Sequence, residues 1–435
     1  MKYYLFYLVM FCTASFTSCG DQAANLTIPE PVKITYGADS TGLSAEAYHD
    51  RVLGALVGSA IGDAMGASTE MWHRDDIRQK YGYITGLTAA ERGQSPEGTW
   101  EHNLGAGATT DDTRWKYLVV KYLTLNKGEM GQENFARFIT DYYRSVAGGL
   151  AEREILDNPD VLDGTLEKVD WIKEWARVAL AFQDGPIAYG TALNRFYGGE
   201  MACAGMLYSP AFGLVAVNPE QAYTMAYDHS LFDHGYAKDI TAQVSAMTQM
   251  ALQTSSMDSI LNTTVFTDPL RYQDSRLVGR ISLGIAVASR KIVREATENS
   301  IPNFSLSENI GIPVAPPGFP GSPEEWAQQS YIYDFLEEHE KAIPFHAGEI
   351  WQILIAGLEF GQGDFLKTMQ FIVNYGRDND TVAAVAGMIL GANLGYSGLP
   401  ADLRDPVIRT SREQIGLDLE ILAEEMAGLN PSKNL

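Results

Sequence analysis

Glycine recurs at every fourth position from Gly54 through Gly58 and Gly62 to Gly66. Residues four apart lie on one face of an α-helix, and the run follows Ser44, a residue type that caps helix N-termini. The pattern therefore predicts a helix over residues 45–67 with a stripe bare of side chains, open to very close approach by another helix. A second stripe returns at Gly387, Gly391 and Gly395 within residues 382–395. The two helices are expected to pack against each other or against a common third. Membrane helices also carry such stripes, but Asp63, Asn393 and the flanking charges argue for a soluble core.

Further helical periodicity covers residues 114–125, 133–145, 166–182, 219–254, 283–296, 347–359, 365–373 and 409–427. Alternating patterns are scarce. Residues 213–217 form a short stretch able to pair locally, and nothing suggests βαβ units or a sandwich. With 46% apolar residues the 435-residue chain can bury a substantial core. The expectation is an all-α fold in one compact domain over residues 45–435. Pro302, Pro313, Pro316, Pro317, Pro320 and Pro323 make residues 300–323 an irregular excursion, either a lid or a long surface connection.

Residues 1–18 read as an export signal: Lys2 precedes an apolar run too short for a permanent membrane span. Phe16-Thr17-Ser18-Cys19 resembles a bacterial lipoprotein signal in which Cys19 is lipidated; an ordinary signal peptide cut near Cys19 is the alternative. Residues 19–44 lack periodicity and suit a flexible tether. The expected location is the bacterial cell envelope, with the membrane touched only through the N-terminal lipid. A net charge of −23 repels nucleic acid, so no nucleic-acid partner is expected. Cys12, Cys19 and Cys203 cannot build a disulfide framework, and Cys203 reads as a core thiol.

Three acidic clusters sit beside glycine and hydroxyl residues: Gly62-Asp63-Ala64-Met65-Gly66 with Glu70, Thr109-Thr110-Asp111-Asp112-Thr113, and Gly376-Arg377-Asp378-Asn379-Asp380-Thr381. Crowded carboxylates repel unless a positive charge lies among them. Oxygen donors without His or Cys point to magnesium or manganese and away from zinc. Taken singly, Asp111, Asp112, Asp378 and Asp380 also fit helix caps or favourable charges at a helix dipole.

Taken in order, the clusters resemble the ADP-ribosylglycohydrolase family, which includes dinitrogenase reductase activating glycohydrolase and the ADP-ribosyl-acceptor hydrolases. The resemblance spans residues 50–398. It is carried by the opening helix with Glu70, by Thr110-Asp111-Asp112-Thr113, and by Asp378-Asn379-Asp380-Thr381 leading into the second glycine stripe. It implies a compact, orthogonal all-α fold with two adjacent magnesium or manganese ions in a cleft. The implied ligands are Glu70, Thr110, Asp111, Asp112, Asp378, Asp380 and Thr381, with Asp63 behind them orienting a ligand or water. Asp112 or Glu70 is the implied proton-handling group. Arg377 takes the place of a family glycine and pairs either with a substrate phosphate or with a neighbouring acid. Residues 198–210 are the nearest match to a family mid-chain motif, without its Asn and Arg. His229 and His234 lie near the position of a substrate-contacting histidine, and a structural role is the preferred reading for both. Trp72 and Trp115 are the preferred surface candidates for stacking a ring.

The implied function is a metal-dependent glycosidase that hydrolyses the ribosyl glycosidic bond of an ADP-ribosyl or related ribosyl compound with an activated water. The partner is that small molecule or an ADP-ribosylated protein. The alternatives are a dinuclear-metal nucleotide phosphohydrolase and a non-catalytic, lipid-anchored binding protein on the same fold. Export turns the expected substrate toward extracellular nucleotides, ribosyl conjugates or cell-surface targets.

Overall fold

The computed structural model describes residues 41–91, 103–126, 130–151, 159–298 and 313–429. Among these residues are 17 α-helices. The first six are α1 (Ala45–Gly66), α2 (Arg74–Tyr81), α3 (Asp111–Leu125), α4 (Gln132–Ala151), α5 (Pro159–Gln183) and α6 (Pro186–Phe196). The middle of the chain forms α7 (Pro210–Val215), α8 (Pro219–Asp228), α9 (Ala237–Gln253), α10 (Met257–Phe266), α11 (Ile281–Glu298) and α12 (Pro323–Glu338). The last five are α13 (Ala347–Gly361), α14 (Phe365–Tyr375), α15 (Asn379–Leu394), α16 (Ala401–Thr410) and α17 (Leu419–Ala427). Strands are confined, among the described residues, to two antiparallel pairs of two residues each. β1 (Trp72–His73) pairs with β4 (Gly376–Arg377), and β2 (Ala90–Glu91) with β3 (Asn103–Leu104). The fold is all-α, as the sequence predicts. The export signal and the Cys19 lipidation site lie outside the described residues, as does all but the end of the tether.

The glycine stripes meet each other. α1 and α15 run antiparallel, with Gly54 against Gly391, Gly58 against Gly387, Gly62 against Ala383 and Gly66 against Asp380. A Cβ added at Gly54, Gly58, Gly62, Gly387 or Gly391 would meet facing backbone at under 3.0 Å, closer than real Cβ atoms come. Both helices are buried on every side from Val52 to Gly66 and from Asn379 to Asn393, so an amphipathic stripe is absent from each. Tyr48 and Arg51 tie the start of α1 into this core. The Tyr48 hydroxyl donates to the Leu214 carbonyl at 2.6 Å, and the Arg51 guanidinium donates to the carbonyls of Ala392 at 3.0 Å and Asn393. Those carbonyls belong to the unsatisfied C-terminal turn of α15, which a cation suits. α13, wholly buried, and α9, buried from Asp239 to Leu252, also pack on α15. Among the described residues no helix is long and apolar enough to cross a membrane.

Three segments depart from the periodicity reading. The helix expected over 219–254 is two helices, because Gly235 takes a positive φ of 59° and residues 229–236 turn Leu231 and Phe232 into the core. The stretch 213–217, read as able to form a strand, mostly belongs to α7. Pro210 starts that helix, and bare Gly213 lets it lie on the α9 backbone at Ser245 and Gln249. The helix expected over 409–427 breaks at Gly416, φ 77°, and restarts with Asp418 as N-cap. Of the proline-rich excursion, residues 313–322 are non-helical. Ser322 then forms a reciprocal cap with Glu325 to open α12.

Gly391→Ala is expected to lower stability by roughly 2–3 kcal/mol or more, since the added methyl meets Gly54 backbone that cannot rotate away. Gly190→Ala, where a Cβ meets nothing within 4 Å in α6, should raise stability by about 0.5–1 kcal/mol. Denaturant midpoints of the two variants beside wild type check both signs.

Candidate functional site

α1 ends at Gly66 directly on Asp380: a Cβ at Gly66 would collide with the Asp380 Cα. The chain then turns through residues 67–71 and carries Glu70 past the helix end. Two ties hold this turn against the start of α15. Asn379 donates from Nδ2 to Thr69 Oγ1 at 2.8 Å and to the Val373 carbonyl at 2.9 Å. The strand pair β1–β4 adds a clamp, with Trp72 opposite Arg377 and the Met71 amide donating to the Arg377 carbonyl at 2.7 Å. Met71 and Arg377 both sit at positive φ, 65° and 61°, immediately after Glu70 and immediately before Asp378. Left-handed backbone in two non-glycine residues costs on the order of 1 kcal/mol or more each. The side-chain bond between Arg377 and Glu349, Nε to Oε1 at 2.5 Å and Nη2 to Oε2 at 3.0 Å, helps hold it. Of the two partners the sequence left open for Arg377, the neighbouring acid is the one observed.

The third segment arrives through Asp63. Its Oδ1 accepts from the Thr110 amide and hydroxyl, both at 2.9 Å, and its Oδ2 from the Thr113 amide at 3.0 Å and hydroxyl at 2.6 Å. Asp63 thus caps α3 from another helix, while Thr110, the local N-cap, makes no side-chain cap bond of its own. Four donors aimed at one carboxyl fit an acceptor-only carboxylate. Burial, then the carboxylates of Asp112 and Asp380, push Asp63 up to about 7, and its bonds to Thr113 and Thr110 pull the other way.

These ties bring Glu70, Asp378 and Asp380 together, each offering an oxygen within 4.8 Å of the others. Oxygens on opposite sides of one magnesium or calcium-sized ion are about 4–5 Å apart, so an all-oxygen donor set at this spacing fits a hard divalent cation. The N-terminal ends of α3 and α15 meet here, and their dipoles favour negative charge. Asp111 and Thr381 line the same cavity of about 340 Å³. Asp112 lies behind the wall. Its Oδ1 accepts from Lys116 Nζ at 2.9 Å and its Oδ2 from Thr381 Oγ1 at 3.0 Å, with Lys116 only 2% exposed. Thr110 and Asp63 are also behind the wall, and Thr110 Oγ1 is 3.4 Å from Asp380 Oδ2.

The same cavity is lined by five aromatic residues, Trp171, Trp175, Phe196, Tyr197 and Phe345. The sequence reading missed this wall, because its residues come from α5, α6 and two loops with no common motif. Trp115, expected as a surface stacking residue, is instead 0% exposed and buttresses the wall. Its ring centroid lies 4.6 Å from that of Trp175 and 5.5 Å from that of Trp171. Trp72 is half-buried beside Tyr81 and lines none of this cavity. Cys203 is buried, and its thiol donates to Asp378 Oδ2 at 3.5 Å. His229 is structural: Nδ1–H donates to the Met225 carbonyl at 2.6 Å and Nε2 accepts from the Tyr122 hydroxyl at 2.9 Å. His234 bonds the Glu200 carbonyl at 2.7 Å and lies outside the cavity wall.

The family model described as ADP-ribosylglycohydrolase matches residues 44–433. The chain is 23% identical over 381 residues to the uncharacterized protein YegU of Escherichia coli (strain K12), covering 87% of this chain and 96% of that one. It is 38% identical over 71 residues to the ADP-ribosyl-[dinitrogen reductase] glycohydrolase of Rhodospirillum rubrum, 16% of this chain and 21% of that one. A solved ADP-ribosylglycohydrolase-related protein complex contains a chain similar to it at 19% identity and a TM-score of 0.48. That match covers 88% of this chain and 99% of the other.

Asp63→Asn should lower stability by roughly 2–3 kcal/mol, because an amide NH₂ then faces donors of Thr110 or Thr113; the urea midpoint reads the loss. Burial pushes His229 down to about 4 from 6.5. The unfolded chain therefore takes up this proton first on acidification, so stability contributed by neutral His229 falls between pH 6.5 and about 4 and levels off below. The expected total is roughly 3 kcal/mol at about 1.4 kcal/mol per unit. Melting curves across this window should show a component that a His229→Gln variant lacks.

Proposed function

Because this chain belongs to the ADP-ribosylglycohydrolase family, whose members are hydrolases acting on ADP-ribosyl groups, we infer that it hydrolyses a ribosyl glycosidic bond with the help of divalent cations. The observation that carries this reading is one cavity lined both by a cation-fitting acidic cluster, Glu70, Asp378 and Asp380, and by aromatic residues. Those three carboxylates would hold a first cation, and Asp111 and Thr381, which line the same cavity, would offer oxygens to a second. Bound there, magnesium or manganese would supply positive charge to attract ribosyl hydroxyls and lower the pKa of a water.

The chain's own residues do the rest. The aromatic wall excludes bulk water and offers ring faces to a base or other planar group. Positive charge developing at the anomeric carbon as the bond breaks is stabilised by the carboxylates around it. Of the two groups read from the sequence as handling protons, Glu70 lines the cavity, whereas Asp112 is held by Lys116 and Thr381. Glu70 therefore accepts the proton of the attacking water. Asp112 positions Thr381 and keeps Lys116 from neutralising the cation ligands. The substrate is an ADP-ribosyl or related ribosyl compound, either free or on a protein. With an exported chain, that substrate lies outside the cytoplasm.

Manganese titration by calorimetry should show binding to wild type that Asp378→Ala and Asp380→Ala each weaken at least about tenfold. With an ADP-ribosylated protein as substrate, wild type should release ADP-ribose, and Glu70→Gln should cut the rate by roughly 10²–10⁴. Release of phosphate from nucleotides without free ADP-ribose would move the assignment to a phosphohydrolase, and absence of cation binding would sink the reading.

A further inference from the structure

Charge is sorted around the cavity in a way the cation site does not explain. Beyond its aromatic wall a second depression of about 400 Å³ opens, and Glu174 and Phe196 line both spaces. Its other walls are Arg177 and Val178 of α5 and Ala192 and Arg195 of α6. Arg177 forms an ion pair with Glu174. Arg195 is exposed and, among the described residues, its guanidinium has no acidic partner. Lys173 lines the inner cavity next to Glu174. Among the described residues, two bases and one acid line this depression, in a chain of 55 acidic and 32 basic residues. Glu70, Asp111, Asp378 and Asp380 line the inner cavity, and Arg177 and Arg195 line the outer depression.

We propose that Arg195 and Arg177 form an anion subsite that selects phosphate-bearing ribosyl compounds, gripping the phosphate groups outside the cleft while the ribosyl hydroxyls face the acidic end. This rests on the glycosidase reading above. Guanidinium forks match phosphate oxygens in a bidentate geometry, and the open face of Arg195 needs no existing pair to be broken. Arg177 contributes by leaving Glu174 for the ligand. The two spaces are of the size that holds nucleotide-like ligands, roughly 300–1,000 Å³.

The test is calorimetric binding of ADP-ribose to the manganese-loaded full chain at low and high salt. Wild type is compared with Arg195→Gln, Arg195→Lys, the Arg177→Gln/Arg195→Gln double variant, and Lys291→Gln, which removes one charge as Arg195→Gln does and lines neither space. The double variant should bind about tenfold more weakly at low salt, with the gap narrowing at high salt. Arg195→Lys should fall between wild type and Arg195→Gln, since it keeps the charge and loses the bidentate fork. Unchanged affinity in the double variant, or an equal loss in Lys291→Gln, would overturn the subsite alone. Wild type that binds cation but no ADP-ribose would overturn the functional reading and the subsite with it.

Discussion

Everything in the site follows from one contact, the backbone-to-backbone packing of α1 on α15. Two helices with ordinary side chains lie 8–10 Å apart; here the facing positions have no side chains, and a Cβ at either stripe would overlap the other helix. The contact runs to the last residue of α1, where Gly66 rests on Asp380. The acidic cluster is therefore an end product of helix packing. Glu70 is placed by the turn that leaves α1, Asp378 and Asp380 by the start of α15, and Asp111 by α3, which Asp63 of α1 caps.

Around this pair the polar groups serve the geometry as much as the chemistry. Asn379, the middle residue between the two aspartates, faces away from the cluster to hold Thr69 and Val373. Lys116 sits one helical turn after Asp112 and anchors it. Arg377 keeps a strained backbone in place through Glu349. Bracing of this kind fixes the spacing of the carboxylates, as a preorganised cation site requires.

Much of this was legible in the sequence because it is periodic or local. The four-residue glycine spacing gave the two central helices and their mutual contact, and Ser44 gave the first cap. The acidic motifs gave Glu70, Asp378 and Asp380, which the fold brings within ligand distance of one another. The spacing of Lys116 from Asp112 and the Ser322–Glu325 capping pattern were also there to be read, and went unread. What could not be read depends on contacts between distant segments. Nothing near Trp171, Phe196 or Phe345 in sequence says that they share a wall, and nothing near Trp115 says that it stands behind that wall. The periodicity over 219–254 runs unbroken through a loop because Leu231 and Phe232 are as apolar as the helices they separate.

The bond from Arg51 to the Ala392 carbonyl joins residues 341 positions apart. Such separation makes the central pair the costliest contact to close, and topology of this kind slows folding. Made from its N-terminus, the chain exposes α1 (Ala45–Gly66) long before its partner α15 (Asn379–Leu394) emerges. For most of synthesis an apolar helix with a bare stripe has nothing to cover it, a condition that invites non-native association. The stripe that makes the finished core so tight is, in the growing chain, the surface in most need of a chaperone.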